Sequence, residues 1–270
     1  MKYLAYAKIN LRLEIEKKLE NGYHLLHMLN AKINLADELI IEEHSDNLVN
    51  FSVEELNHLE NNICLNVLNE MCKLYNIQKR FHIYIKKNIP FGAGLGGGSS
   101  DVAAIINFVD EYFNLKLPIE EKNKIGLSYG ADVPYCLIND IAYVSGIGEK
   151  VYPLNEKLNT DVIVVYPNTF VSTKDVFKHN TTFNHKTNEK TLKQYLREKD
   201  YNSLLYNDLE NTTFKLYPHL KKLKDELKSY GEVIMSGSGS TMLVIPTDKD
   251  SYKCIKEKYP NYLVINSHII

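Results

Sequence analysis

The 270-residue sequence is 44% hydrophobic and 24% charged, an ordinary globular composition that excludes a disordered or fibrous chain. Lys and Arg total 32 against 34 Asp and Glu, and a formal charge of -2 gives no basis for a broad nucleic-acid or anionic-membrane surface. The length exceeds what one average core requires, so we expect two domains, residues 1–155 and 156–270.

The N-terminal stretch alternates from Tyr3 to Glu16, placing Ile9, Leu11, Leu13 and Ile15 on one face of a strand. Asn10, Arg12 and Glu14 take the other face, which Lys8 shares. The stretch carries charges throughout and lacks a signal peptide's continuous apolar core, and no later segment is long enough to span a bilayer. We therefore expect a cytoplasmic protein. Asn-Gly-Tyr-His at 21–24 signals a turn, and residues 25–44 read as further extended structure ending in a charged strand. A helix follows over residues 61–76, with Ile63, Val67, Leu68, Met71 and Leu74 on one stripe and Asn61 or Asn62 as its cap.

Residues 80–90 form a strand that feeds directly into "PFGAGLGGGSSD". Residues 99–114 then have the spacing of a buried helix, with Ser99, Ser100 and Asp101 suited to its first turn. A second helix begins near Pro118 and ends at Gly130, and turns and strands are expected after it. From Thr160 a fresh pattern starts: a strand at 161–167, a polar stretch at 178–190, helices, and a strand over "VIMSGSGSTMLVIP". Cys64, Cys72, Cys136 and Cys254 are widely scattered, so buried or incidental thiols are expected rather than a zinc site or disulfides.

The glycine stretch carries the clearest chemical signal. Glycines allow successive N–H groups to converge on one concavity, and the helix after them adds unpaired amides and the positive end of its dipole. Such a nest attracts phosphate. A P-loop is excluded because Gly98 stands where its lysine belongs. A dinucleotide fingerprint is formally present at Gly92, Gly94 and Gly97, but the acidic partner is missing and the next segment reads as a helix rather than a strand. A turn that binds nothing is the third reading, and it would lose much conformational entropy without a compensating ligand.

The same residues resemble the phosphate loop of the GHMP kinases, Pro-x-x-x-Gly-Leu-Gly-x-x-Ser, here Pro90, Gly94, Leu95, Gly96 and Ser99. "AKIN" at 7–10, "GYH" at 22–24, "GADVP" at 130–134 and "SGSGS" at 236–240 are similar to the diphosphocytidyl-methylerythritol subgroup of that family, in its order and spacing. The resemblance spans nearly the whole chain. It implies a two-domain α+β fold, with a ribosomal-protein-like N-terminal domain, a ferredoxin-like C-terminal domain and the active site in the cleft between them. The implied activity is ATP-dependent phosphorylation of the tertiary hydroxyl of a cytidine diphosphate-linked polyol in non-mevalonate isoprenoid synthesis. A homoserine- or mevalonate-type kinase and an inactive nucleotide-binding regulator are the alternatives.

By that resemblance Lys8 and Asp132 are catalytic, Asp132 taking or orienting the hydroxyl proton and Lys8 keeping it ionised and neutralising charge on the transferred group. ATP would be held by Pro90, Phe91, Gly92, Ala93, Gly94, Leu95, Gly96, Gly97, Gly98, Ser99 and Ser100, with Asn62 and Lys87 bordering the adenine. The substrate would meet Asn10, the cytosine-binding Tyr23, His24 and Phe177, and the backbone of Gly237 and Gly239. Mg²⁺ is expected with ATP. Its ligands stay open, because Gly97 and Gly98 replace paired serines, one of which commonly binds the metal in the wider family. The partner is a small molecule, with no nucleic acid or membrane, and the chain a monomer or homodimer.

Overall fold

The computed structural model describes residues 1–185 and 187–270. The chain divides into two compact units, and each gathers separate stretches of sequence. The first comprises Met1–Lys8, Leu35–Phe91 and Gly96–Asn139, and the second Ile9–Asn34, Gly92–Leu95 and Asp140–Ile270. Two long strands, β1 (Lys2–Lys18) and β2 (His24–His44), contribute residues to both.

In the first unit the end of β2 pairs antiparallel with β4 (Arg80–Lys86), which pairs parallel with β3 (Leu48–Phe51). The short helix α1 (Glu54–Asn57) precedes α2 (Ile63–Leu74), whose start is capped by Asn62 accepting from the Leu65 amide at 3.1 Å. Capping satisfies an amide that the helix start leaves without an intrahelical acceptor. Cys64, Val67, Leu68, Met71 and Cys72 form the buried stripe of α2, which packs on α3 (Gly97–Tyr112). Phe81 of β4 meets Phe108 of α3 edge to face, with ring centroids 5.1 Å apart. Helix α4 (Ile119–Leu127) and a further short helix, α5 (Val133–Cys136), complete the unit. The second of these corrects the expectation of turns after Gly130, since Pro134 sits at a first-turn position where its missing N–H costs nothing.

In the second unit β5 (Ala142–Gly146) pairs antiparallel with the start of β2 and with β6 (Lys150–Pro153). Strand β7 (Asp161–Tyr166) leads into α6 (Thr173–His179), α7 (Glu189–Glu198) and α8 (Tyr201–Leu204). The two-residue β8 (Tyr206–Asn207) pairs parallel with β1 at Arg12 and Leu13. Helices α9 (Glu210–Leu216) and α10 (Pro218–Leu227) follow, then β9 (Gly231–Met235), β10 (Met242–Pro246), α11 (Ser251–Lys258) and β11 (Leu263–His268). The segment read as one strand over "VIMSGSGSTMLVIP" is thus an antiparallel pair, because Gly237 and Gly239 adopt φ of 58° and 91° and turn the chain. The four-stranded antiparallel sheet has the order β11-β7-β10-β9, which is fourth, first, third, second in chain order. With helices between first and second and between third and fourth, this is the ferredoxin-like βαββαβ arrangement.

Alternation in β1 holds, but both faces are buried: Asn10 and Glu14 are 1% exposed, as deeply placed as the neighbouring Leu13 at 3%. Of the cysteines, Cys64, Cys72 and Cys136 are buried, Cys254 is exposed, and all are free.

Candidate active site

The glycine stretch folds as an anion nest. Gly92, Gly94 and Gly96 have φ of 68°, 75° and 68°, alternating with Ala93 and Leu95, whose side chains are buried. Alternating handedness turns successive amides toward one side of the chain. Gly96 is the left-handed cap of α3, whose first residue, Gly97, comes two residues before the expected start near Ser99. The first intrahelical bond runs from the Ser100 amide to the Gly96 carbonyl at 2.9 Å. The amides of Gly97, Gly98 and Ser99 precede it and have no acceptor within the helix, where the dipole also favours negative charge. The Ser100 hydroxyl donates to the Tyr6 carbonyl at 2.8 Å, and Ser99 lies next to Gly130.

Lys8 lies against this loop. A Cβ on Gly96 would come 2.7 Å from Lys8 Cγ, so the absent side chain lets the lysine stem pass. Lys8 Nζ stands 3.1 Å from Asp132 Oδ2 at the start of α5. The lysine side chain is 6% exposed and the aspartate 35%, so a buried cation meets a carboxylate that still reaches solvent. Lys8, Asp132 and the glycines from Gly96 onward are therefore brought together, although 124 positions separate the two charged residues in the chain.

A second charged cluster, which the sequence reading missed, sits at the loop's stem. Asp37 Oδ1 accepts from the amides of Asn88 and Ile89 at 2.6 and 2.8 Å, immediately before Pro90. Lys87 pairs with Asp37 and, at 2.6 Å, with Asp101 in the first turns of α3. The strand entering the loop and the helix leaving it are thus tied through one ammonium. Burial pushes the Asp101 carboxyl well above the ordinary carboxylate range, against the attraction of Lys87 and with added repulsion from Asp37. Burial opposes charge on Lys87 too, but the two carboxylates hold its ammonium above the usual lysine range. A signal was present: Asp37 interrupts an apolar strand run, "INLADELII". Asn62 and Lys87 both have their polar ends engaged within the unit, Asn62 by its cap and by donation to the Val49 carbonyl.

In the second unit the "SGSGS" turn lies against the loop's first half. A Cβ on Gly94 would come 2.8 Å from the Ser236 carbonyl oxygen, so backbone passes backbone there. Thr241 Oγ1 donates to the Ala93 carbonyl at 2.6 Å, and Ser236 Oγ to that of Gly94 at 3.3 Å. Asn10 donates through its side chain to Asn30 at 2.7 Å and through its amide to Ser236 Oγ at 3.4 Å, with its Oδ1 3.3 Å from where a Gly237 Cβ would be. Gly239, by contrast, faces Met235 and Thr213. Asn10, Gly94 and Gly237 are thus grouped.

The same unit gathers the aromatic residues. His24 and Phe177 have ring centroids 5.1 Å apart, Phe177 standing in α6. His24 is buried and Tyr23 beside it is 57% exposed. His24 Nε2 is buried without a hydrogen-bond partner among the described residues. Burial, with a smaller contribution from Lys18, depresses the imidazole's pKa, which favours the neutral ring. A neutral imidazole presents one donor and one acceptor. Among the described residues no group of three or more His, Cys, Asp or Glu side chains is arranged to hold a metal ion, and no helix is long and apolar enough to cross a membrane.

The family models for the GHMP kinases N terminal domain and GHMP kinases C terminal match residues 62–140 and 185–264. A 4-diphosphocytidyl-2-C-methyl-D-erythritol kinase of Clostridium botulinum (strain Eklund 17B / Type B) is 35% identical over 276 residues, covering 98% of this chain and 99% of that protein. A crystal structure of 4-(cytidine 5'-diphospho)-2C-methyl-D-erythritol kinase superposes with a TM-score of 0.85 at 27% identity, over 100% of this chain and 99% of that one. The mevalonate kinase of L. major, crystallised with R-mevalonate, has a TM-score of 0.73 at 14% identity, covering 100% of this chain and 95% of its own, which shows a shared fold. Glycine nest, buried lysine, ferredoxin-like sheet and full-length similarity agree, and the chain belongs to the 4-diphosphocytidyl-2-C-methyl-D-erythritol kinase family of the GHMP kinases.

Proposed function

We propose that this chain transfers the γ-phosphoryl group of ATP to the tertiary 2-hydroxyl of 4-diphosphocytidyl-2-C-methyl-D-erythritol, a step of non-mevalonate isoprenoid synthesis. The observation that carries the chemistry is the Lys8–Asp132 pair held against the phosphate nest. In this reading Asp132 accepts the proton of the attacking hydroxyl, and its partly exposed carboxylate suits a group that must meet substrate. Lys8 orients that carboxylate and offsets charge building on the transferred group, a role for a cation shielded from water. The amides at the start of α3, with Ser99, cradle the phosphates, and Pro90 to Leu95 form the approach to them. Asn62 and Lys87 would border the adenine through shape, since their polar ends are already engaged. Asn10 and the Gly237 backbone hold the acceptor end, Gly239 shapes the turn, and Tyr23, His24 and Phe177 take the cytosine.

Mg²⁺ would neutralise the β- and γ-phosphates. In this reading the ion is held largely by ATP oxygens and water. Every residue invoked comes from one chain, so a monomer suffices and a homodimer is compatible. Water-soluble substrates support a cytoplasmic location for the reaction.

The test is incubation with the cytidyl substrate, ATP and Mg²⁺, with mass-spectrometric detection of one added phosphoryl group and inhibition by CDP at saturating ATP. Turnover of mevalonate or homoserine instead, or no product from folded protein, would overturn the reading.

A further inference from the structure

Phe183 stands alone as an aromatic residue in a polar stretch, "HNTTFNHKTN", that links α6 to α7. Its ring is held almost parallel to that of His24, with an interplanar angle of 13° and centroids 6.4 Å apart. Phe177 is tilted by 39° to the same imidazole at 5.1 Å. Parallel planes mean that a flat heteroaromatic ring meeting His24 edge-on, and so lying in the plane of the imidazole, would present its face to Phe183. Exposure points the same way, because Phe183 is 43% exposed although burying a phenylalanine ring is ordinarily favourable by about 1.5–3 kcal/mol. Its apolar face remains open to a ligand. His24 Nε2, buried and without a hydrogen-bond partner among the described residues, adds an independent observation: a ligand with a hydrogen-bonding edge would satisfy it. A pyrimidine base combines a flat face with such an edge.

Flanking side chains hold the Phe183 segment in place without the ring's help. Asn180 donates to the Thr182 carbonyl at 2.7 Å and accepts from Thr212 Oγ1 at 3.1 Å. On the other side, Asn184 donates to Tyr206 Oη and to Asp208 at 3.1 and 3.3 Å. Asparagines on both flanks, each tied to another element, fix where the phenylalanine projects. Ordering in advance of binding reduces the entropy that a ligand must offset.

We propose that Phe183 is a specificity-determining residue for the cytidyl substrate, giving the base an aromatic face parallel to His24 in addition to Phe177. The inference rests on the cytidyl-kinase reading, and concerns which residues of this chain read the base.

The experiment compares Phe183→Ala, Phe183→Leu and Phe183→Tyr with the unmodified chain, measuring KM for 4-diphosphocytidyl-2-C-methyl-D-erythritol and for ATP, the inhibition constant of CDP, and thermal unfolding. Removing one stacking ring is expected to raise the cytidyl KM and the CDP inhibition constant roughly 5- to 150-fold. KM for ATP should stay within about twofold, a split that general loss of structure would not produce. Phe183→Leu should behave like Phe183→Ala, because it restores apolar bulk without a flat face, and Phe183→Tyr should restore the unmodified values. An unchanged cytidyl KM in the folded Phe183→Ala protein, or full rescue by leucine, would overturn the role. Absence of cytidyl turnover in the unmodified chain would instead remove the reaction assignment, so the two failures are distinguishable.

Discussion

Substituting Gly96 by alanine perturbs the proposed site at a single atom. The new Cβ would lie 2.7 Å from Lys8 Cγ, 3.2 Å from Cε and 3.5 Å from Cδ, so the whole lysine stem must give way. Gly96 also has φ of 68°, where an L side chain costs roughly 1–2 kcal/mol. Stability should fall by about that amount, a decrease in Tm of about 2–4 °C per kcal/mol for a protein of this size. Activity should fall further. The Lys8 ammonium must leave its position 3.1 Å from Asp132, and a displacement of order 1 Å at a reacting centre costs about 10²-fold in rate. Gly98→Ala is the internal control for stability: its Cβ would meet only Ile63 Cδ1, at an ordinary 3.7 Å, and it lies within α3. Alanine there should leave Tm unchanged or raise it, gaining up to about 1 kcal/mol of helix propensity. A coupled ADP-release assay and a thermal melt on both variants decide the matter. A Gly96→Ala enzyme with the unmodified Tm and turnover would refute the close packing of Lys8 on the loop and its catalytic consequence.

Asp132→Ala should abolish phosphoryl transfer while nucleotide affinity, measured by fluorescence titration, stays within a few-fold, and appreciable turnover would remove its role as base. Thr241→Val should lose the 2.6 Å bond to the Ala93 carbonyl, lowering stability by about 1–3 kcal/mol in a denaturant titration and raising KM for ATP, as a buried carbonyl is left without its donor. Asp101 has a raised pKa, so its contribution to stability is complete below the ordinary carboxylate value near ~3.9 and is lost as pH rises through the raised one. Asp101→Asn, which cannot ionise, should flatten that part of the stability-versus-pH curve, and a curve of unchanged slope would refute the assignment. Chelation by EDTA should stop turnover and leave Tm unchanged, with added Mg²⁺ restoring activity, and a large fall in Tm would reveal a structural metal held by the protein.

Chemistry concentrated in contiguous stretches was legible from residue types alone. Five glycines followed by Ser99, Ser100 and an apolar-periodic segment announce a nest at a helix start, because backbone exposure and helix capping are local properties. Gly98 in place of a lysine excludes a P-loop for the same reason. The α+β composition, α2 with its Asn62 cap, and the strand character of β1, β4 and β7 also follow from periodicity.

Tertiary structure decided what periodicity cannot carry. Alternation in β1 assigns Asn10, Arg12 and Glu14 to one face but does not say that this face, too, is covered, because burial depends on elements distant in sequence. The turn within "SGSGS" competes with two flanking apolar runs that read as one strand, and pairing of β9 with β10 settles it. Asp37 and Asp101 meet on Lys87 across separations of 50 and 14 residues, and Phe183 becomes parallel to His24 only through side chains anchored elsewhere. Local sequence dictates φ preferences, caps and periods, whereas the partner of a charge or a ring is set by long-range packing that no single window contains.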